Sequence, residues 1–211
     1  MKVYPIDIIT RDVKTALDFN KSGSGLALLG DTDTLSLNEI IKSKIIEAVK
    51  NIHAVAPAHL LDSGNNFSNN IYWKEGECGW IVLPEDFLRL VSFKMDDWDH
   101  AVYTASLPDS PEYKKQSSRF KGIRGTSQRP VCFITVRPEG KVLEFFSCKS
   151  DKAKISQAVY IPYPIIDDND GVSICERCYQ AVIYNIASLV LTAIGEYEKS
   201  QTFNELTKTA L

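Results

Sequence analysis

Apolar residues recur along this chain with two different periods, and the change from one to the other divides it. From about Asp7 to Asn20, Ile9, Val13, Ala16 and Leu17 fall at i, i+4, i+7 and i+8, which predicts an amphipathic helix. "NKSGSG" breaks the pattern at Gly23 and Gly25, and a polar loop with an apolar middle, Leu26 to Leu29, runs on to Thr34. A second helix opens at "SLNE", where Ser36 and Glu39 have the spacing of a capping box. Ile41, Ile45, Ala48, Ile52 and Val55 continue its stripe until Pro57, which removes a helical hydrogen bond and ends it.

From Ile71 the period shortens. "IYW", "GWIVL", "FLRLVSFKM", "HAVYTAS", "PVCFITV", "KVLEFFS" and "AVYIPY" are short, rich in β-branched and aromatic residues, and separated by turn residues, as strands are. "VRPEGKV" joins two of them through Gly140, which predicts a hairpin from about Val131 to Ser147. The helical period returns at "SICE", where Ser173 and Glu176 again have capping-box spacing. Ile174, Cys178, Val182, Ile186, Leu189, Ala193 and Tyr197 then make one stripe, with Cys175, Tyr179, Ile183 and Val190 beside it. So broad an apolar surface suits either the centre of a bundle or a helix shared with a neighbouring subunit. The expected fold is α+β: a helical bundle from residues 1–70 and 165–211, with an antiparallel β insertion at 71–164.

Composition adds limits. With 44% hydrophobic and 24% charged residues among 211, the chain can bury a sizeable core. The longest apolar run, Ala181 to Ile194, contains Asn185, Ser188 and Thr192 and is too short and polar for a membrane span. No secretory h-region is visible in "MKVYPIDIIT", and five cysteines with no such signal point to a reducing compartment.

Charge is unevenly spread. The formal net charge is −3, yet "YKKQSSRFKGIRGTSQRP", residues 113–130, carries Lys114, Lys115, Arg119, Lys121, Arg124 and Arg129 with no acidic residue. The remainder, −3 less six, therefore carries −9. A charge run is most often a solvated loop. Here Gly122, Gly125 and the serines predict a flexible, extended backbone whose bases can meet phosphates without reading bases, or meet an acidic protein surface. Only Tyr113 and Phe120 are nearby aromatics, too few for a single-strand stacking platform.

Other candidate chemistry is thin. "CERC", Cys175 to Cys178, is the only CxxC; zinc needs further ligands, His53, His59 and His100 are isolated, and no βαβ context supports a redox motif. Two buried core cysteines are the simpler reading. Asp96, Asp97, Asp99 and His100 in "MDDWDH" have the types for a cation or for acid–base work, but Asp is a turn residue and a turn is favoured. "DDNDG", Asp167 to Gly171, fails as a calcium loop because its twelfth position is Cys178. No P-loop, GxGxxG, nucleophile elbow or HExxH is present, so no catalytic, metal or cofactor site is expected.

"LPEDFLRLVSFKMDDWDHAV", "SPEYKKQSSRFKGIRGTSQRPV", "YIPYP" and a C-terminal helix ending "LVLTAIGE" together resemble the head–tail connector (adaptor or ring) proteins of tailed bacteriophages, those of crAss-like phages and related podoviruses above all. "ITRDVKTALDFN" and "DTLSLNEIIKSKIIEAVKNI" fit as well, so the resemblance spans about residues 6–200. It implies a helical bundle with a β insertion, assembled into a closed ring, commonly twelve-fold. Such a ring docks beneath the portal protein and above other neck or tail proteins, with double-stranded DNA passing through its lumen. The implied place is the virion's head–tail junction, after assembly from the host cytoplasm. No enzymatic role, cofactor or catalytic position follows, and no portal- or subunit-facing residue maps individually. In a ring, every basic loop is repeated into a collar. The rival expectations are a monomeric nucleic-acid-binding accessory protein using the basic loop, and a zinc or redox protein using Cys175 and Cys178.

Overall fold

A computed structural model describes residues 1–17, 36–61, 64–67, 70–74, 78–118 and 120–211. The fold is α+β, with helices near both ends of the chain and antiparallel sheets. Along the chain run β1 (Lys2–Pro5), α1 (Ile6–Ala16), α2 (Leu37–Val55), β2 (Asn65–Asn66), β3 (Ile71–Trp73), β4 (Gly79–Val82) and β5 (Phe87–Met95). Then come α3 (Pro111–Lys115), β6 (Val131–Arg137), β7 (Gly140–Phe146), β8 (Ile155–Pro162), β9 (Gly171–Ile174), α4 (Tyr179–Ala193) and α5 (Tyr197–Thr209). They form two compact units: Met1–Asp62 with Tyr163–Leu211, and Ser63–Pro162.

The helical unit is built around α4, which packs on α1, α2 and α5. Val182, Ile186 and Val190 of α4 are fully buried with Ile9 and Val13 of α1 and Ile41, Ile45 and Ile52 of α2. The breadth of its apolar surface is thus used within the chain's own core, as the centre of a bundle. Ser36 caps α2 with the full capping box, accepting from the Glu39 amide at 3.4 Å while the Glu39 carboxylate accepts from the Ser36 amide at 2.7 Å. Helix α1 ends at Ala16, with Leu17 as its cap. Its expected continuation to Asn20 and the loop with Gly23, Gly25 and Leu26 to Leu29 lie outside the described residues.

The last helix differs from its expected form at both ends. Gly171–Ile174 is a strand, paired antiparallel with Lys2–Pro5, so Ser173 faces solvent opposite Val3 and caps nothing. Val172 and Ile174 are buried on either side of it, a period of two hidden in four residues. Glu176 instead pairs with Lys2 at 3.2 Å, and a 3-10 turn at Glu176–Cys178 leads into α4. At the other end Gly195 takes φ +87°, Glu196 N–H donates to Leu191 O at 2.9 Å and Gly195 N–H to Thr192 O at 3.2 Å. That is a Schellman stop, so Tyr197 begins a separate helix. The hydroxyls of buried Ser188 and Ser200 and of exposed Thr192, with Ser200 Oγ 3.0 Å from Ser188 Oγ and 2.7 Å from Thr192 Oγ1, tie α5 back onto α4.

The β unit holds a three-stranded sheet, ordered β2-β8-β5, and a four-stranded sheet, ordered β3-β4-β7-β6, all antiparallel. Their shared core is aromatic: Phe93 of β5 lies 5.6 Å from both Phe145 of β7 and Trp98. The β6–β7 hairpin forms as expected, from Val131 opposite Phe146 to Arg137 opposite Gly140, with Gly140 at φ +119°. "HAVYTAS" is not a strand. It makes one antiparallel bridge, Val102 to Phe93, then one parallel bridge, Ser106 to Phe133, changing partner before a ladder can develop.

Candidate functional site

The described residues of the basic segment are folded, held chiefly by uncharged side chains of the segment itself. Ser110 caps the short helix α3, accepting from the Tyr113 amide at 3.4 Å, with Pro111 as the first helical residue. Lys114 and Lys115 therefore sit on a helical turn, not on the expected extended backbone. Tyr113 presents its ring edge to Phe133 at 5.0 Å and Phe146 at 6.2 Å, on the β6–β7 hairpin. Its hydroxyl donates 3.0 Å to Oε2 of Glu144.

Glu144 is a carboxylate at a buried position of β7, only 2% exposed. Arg137 donates to its Oε1 at 3.2 Å, and Lys74 Nζ stands 4.0 Å away. The Arg137 guanidinium lies 4.1 Å above the Trp80 ring, which stacks on Tyr72 at 5.4 Å. Burial, then the charge of Glu144 and its hydrogen bond, raise the Tyr113 pKa. The phenol thus stays a donor to the carboxylate. A hydrogen bond to a charged group contributes about 1.5–3 kcal/mol, so this contact holds the start of the segment in place.

Gln116, nearly buried, holds the middle. Its Nε2 donates to Glu112 O and its Oε1 accepts from the Gly125 amide, each at 2.9 Å. Gly125 is required by proximity: a Cβ there would lie 2.3 Å from Ser147 Oγ and 2.6 Å from Val131 Cγ2. Thr126 and Arg129 close a tight turn by exchanging N–H···O bonds of 3.1 and 2.9 Å. The Asp99 amide donates to Ser127 O at 3.0 Å, and Arg124 Nε donates to Ser118 O.

Of the six bases, Lys114, Lys115, Arg124 and Arg129 are exposed, and none of these four pairs with a carboxylate among the described residues. Lys121 lies in a 3-10 turn, and Arg119 falls outside the described residues. Phe120 and Ile123 are exposed among them. Sequence reasoning missed the Glu144–Arg137–Trp80 arrangement that supports this surface. Its signal was present: Glu144 interrupts "KVLEFF" at a position flanked by buried apolar neighbours.

The remaining candidates have structural work. Asp96 Oδ1 accepts from the Lys154 amide at 2.9 Å and Asp97 Oδ2 from the Lys149 amide, fixing a turn around the buried Trp98. Asp167 Oδ1 accepts from the Asn169 and Gly171 amides, an Asx turn that orders "DDNDG". Cys175 and Cys178 are fully buried in the helical core. The Cys175 amide donates to Nε2 of the buried His53 at 3.3 Å, and Cys178 Sγ lies 3.7 Å from Leu60 O. No group of three or more His, Cys, Asp or Glu is placed to hold a metal ion among the described residues. No described helix is long and apolar enough to cross a membrane. Neither a protein-family model nor a curated protein matches the chain.

Proposed function

We propose that this chain is a structural head–tail adaptor of a tailed bacteriophage, acting by closing into a ring between portal and tail through which DNA passes. The resemblance of residues 6–200 supplies the class of protein. The observation that carries the reading furthest is the basic segment: cations exposed and without carboxylate partners, on a backbone pinned by Tyr113, Gln116 and Gly125. Repeated around a ring, such a segment forms a fixed collar of positive charge suited to DNA phosphates or to an acidic face of an adjoining ring. The same charges favour, as a second reading, a monomeric accessory protein that binds nucleic acid by its backbone.

Native mass spectrometry and electron microscopy, with and without a cognate portal protein, separate the two. The adaptor reading expects a closed ring, on its own or on the portal. A chain that stays monomeric at high concentration and ignores the portal, yet retards duplex DNA in a salt-dependent way, replaces it with the second.

A further inference from the structure

Two stretches of the chain each carry charge of one sign. Residues 113–130 hold six bases and no acid, while residues 155–176 hold Asp167, Asp168, Asp170 and Glu176 and no base. Both present apolar side chains beside the charge. Phe120, 73% exposed, and Ile123 stand among the bases; Ile165, 72% exposed, and Ile166 lead into the acidic turn. The pairing of β1 with β9 sets Val3 opposite Ser173, both exposed, on the face away from buried Val172 and Ile174. A Cβ at Gly171 would lie 2.5 Å from Val3 Cγ1 and 3.0 Å from both carboxylate oxygens of Asp167, so this bare sheet face adjoins the acidic turn.

Neighbouring charges do not cancel either surface. Lys2 pairs with Glu176 at 3.2 Å and Lys42 with Asp7 at 3.6 Å, while Lys50 Nζ lies 5.4 Å over the Tyr163 ring. Asp168 and Asp170 are exposed, and neither pairs with a cation among the described residues. On the basic side, Asp99 lies beside Ser127, with Asp96 and Asp97 near it in sequence. The positive excess is therefore clearest from Lys114 to Ile123, where Asp109 and Glu112 precede Lys114, Lys115, Arg119 and Lys121. Exposed aromatic and aliphatic side chains with a charged rim suit a protein interface better than a phosphate contact. The two surfaces match in sign and in apolar content and come from different parts of the chain, so a contact between copies is heterologous and repeats from one copy to the next. We propose that the basic segment of one copy docks on the β1–β9 face and acidic turn of the next, Phe120 and Ile123 meeting Val3 and Ile165 while Lys114 and Lys115 meet Asp168 and Asp170. The contact deepens the ring reading by naming the faces that meet, and rests on that reading only for closure of the ring.

Charge exchange in the full chain tests it, by sedimentation and native mass spectrometry with no portal protein present. The wild type should self-associate, less so as salt rises. One variant carries Lys114→Glu with Lys115→Glu. The other carries Asp168→Lys, Asn169→Lys and Asp170→Asn, the last chosen because Asn tolerates the positive φ of that residue. Each alone should self-associate about tenfold more weakly, since like charges then face each other. An equimolar mixture should regain association, because each variant offers the other an opposite charge at both faces. A wild type that is monomeric at every concentration, variants that associate as tightly as wild type, or a mixture without rescue each overturns the proposal. Should a charge variant misfold, Phe120→Ser and Ile165→Ser take its place; each should weaken association about tenfold, and unchanged association in both overturns the contact. Loss of duplex-DNA binding in the Lys114, Lys115 variant, with self-association intact, assigns the segment to DNA instead. Unmixed charge variants that still close into a ring on a portal overturn this contact and leave the adaptor reading standing. Association that obeys the charge exchange but ignores a portal keeps the contact and overturns the adaptor.

Discussion

The helical unit and the β unit solve the problem of a stable core in different ways. The helical unit spreads its packing over many aliphatic side chains, with α4 covered by three other helices. The β unit concentrates its packing in a few large rings and admits a buried carboxylate, Glu144. Aliphatic packing is redundant, because many small contacts share the load. A core of a few large rings, and on the opposite face of β7 a buried carboxylate with its own partners, each depend on particular members, so single changes there should cost more.

The largest expected effect follows directly. Phe145→Ala removes a fully buried ring in contact with Phe93, Trp73 and Trp98 and should destabilise by about 3–5 kcal/mol. Ile186→Ala, at the centre of α4, should cost about 2–5 kcal/mol. Leu189, in the same sequence stripe, is only half-buried, so Leu189→Ala should fall below Ile186→Ala. Chemical denaturation of the three variants ranks them. A helical variant costing more than Phe145→Ala breaks the contrast between the units.

The polar part of the contrast comes next. Arg137→Ala leaves the carboxylate of Glu144 buried with Tyr113 and a distant Lys74, and should cost about 3 kcal/mol. Replacing both residues with apolar ones, Arg137→Leu with Glu144→Leu, should recover much of that loss, because no uncompensated charge remains. If the double variant is no better than the single one, the pair is needed for more than mutual compensation.

These differences also show how far the sequence could be read. Periodicity located α1, α2, α4 and the β6–β7 hairpin, because each repeats its pattern over several turns or pairs. It failed at β1 and β9, where four residues pair with four distant ones and Ser173 imitates a helix cap. It also failed at Gly195, whose stop is a matter of φ rather than hydrophobicity. The basic segment stood out by composition, but what holds it did not. Tyr113 to Glu144 and Gln116 to Gly125 are tertiary contacts with no local signature. Ser147 was invisible for the same reason: nothing in "FFSCK" announces a positive φ.

Titration gives a smaller, pH-dependent effect. Burial raises the thiol of Cys132, and burial with Asp97 raises that of Cys148, to about 12. In the helical unit, burial and then the hydrogen bond to Asp12 raise the phenol of Tyr179. A raised pKa in an acid means that the fold favours the neutral form. Its stabilisation is complete below the unfolded thiol's value of about 8.5. It is lost as pH climbs from there through the folded value. Melting temperature should therefore decline above that point, and Cys148→Ala should make the decline shallower. An equal slope in the variant would assign the alkaline loss elsewhere, with Tyr179→Phe the next variant to measure.

The smallest effect on stability is expected where the charge is greatest. Replacing Lys114, Lys115, Arg119, Lys121, Arg124 and Arg129 with Ser or Gln removes six cations, four of them exposed and without carboxylate partners. Exposed substitutions of this kind usually stay within about half a kcal/mol each. Gln116→Ala, by contrast, changes no charge but leaves the Gly125 amide without its acceptor, and should cost about 1–3 kcal/mol. The two variants thus separate scaffold from charge within one segment. Contact with portal or DNA should weaken in the neutralised protein while its melting point holds. In the wild type that contact should weaken with salt, since screening acts at about 8–10 Å. Gln116→Ala should lower the melting point and weaken the same contact only as far as the segment is displaced. Infectious particles formed normally with the neutralised protein would return the segment to a solvated surface. A neutralised chain that cannot fold would mean that its cations, and not Tyr113, Gln116 and Gly125, hold the segment together.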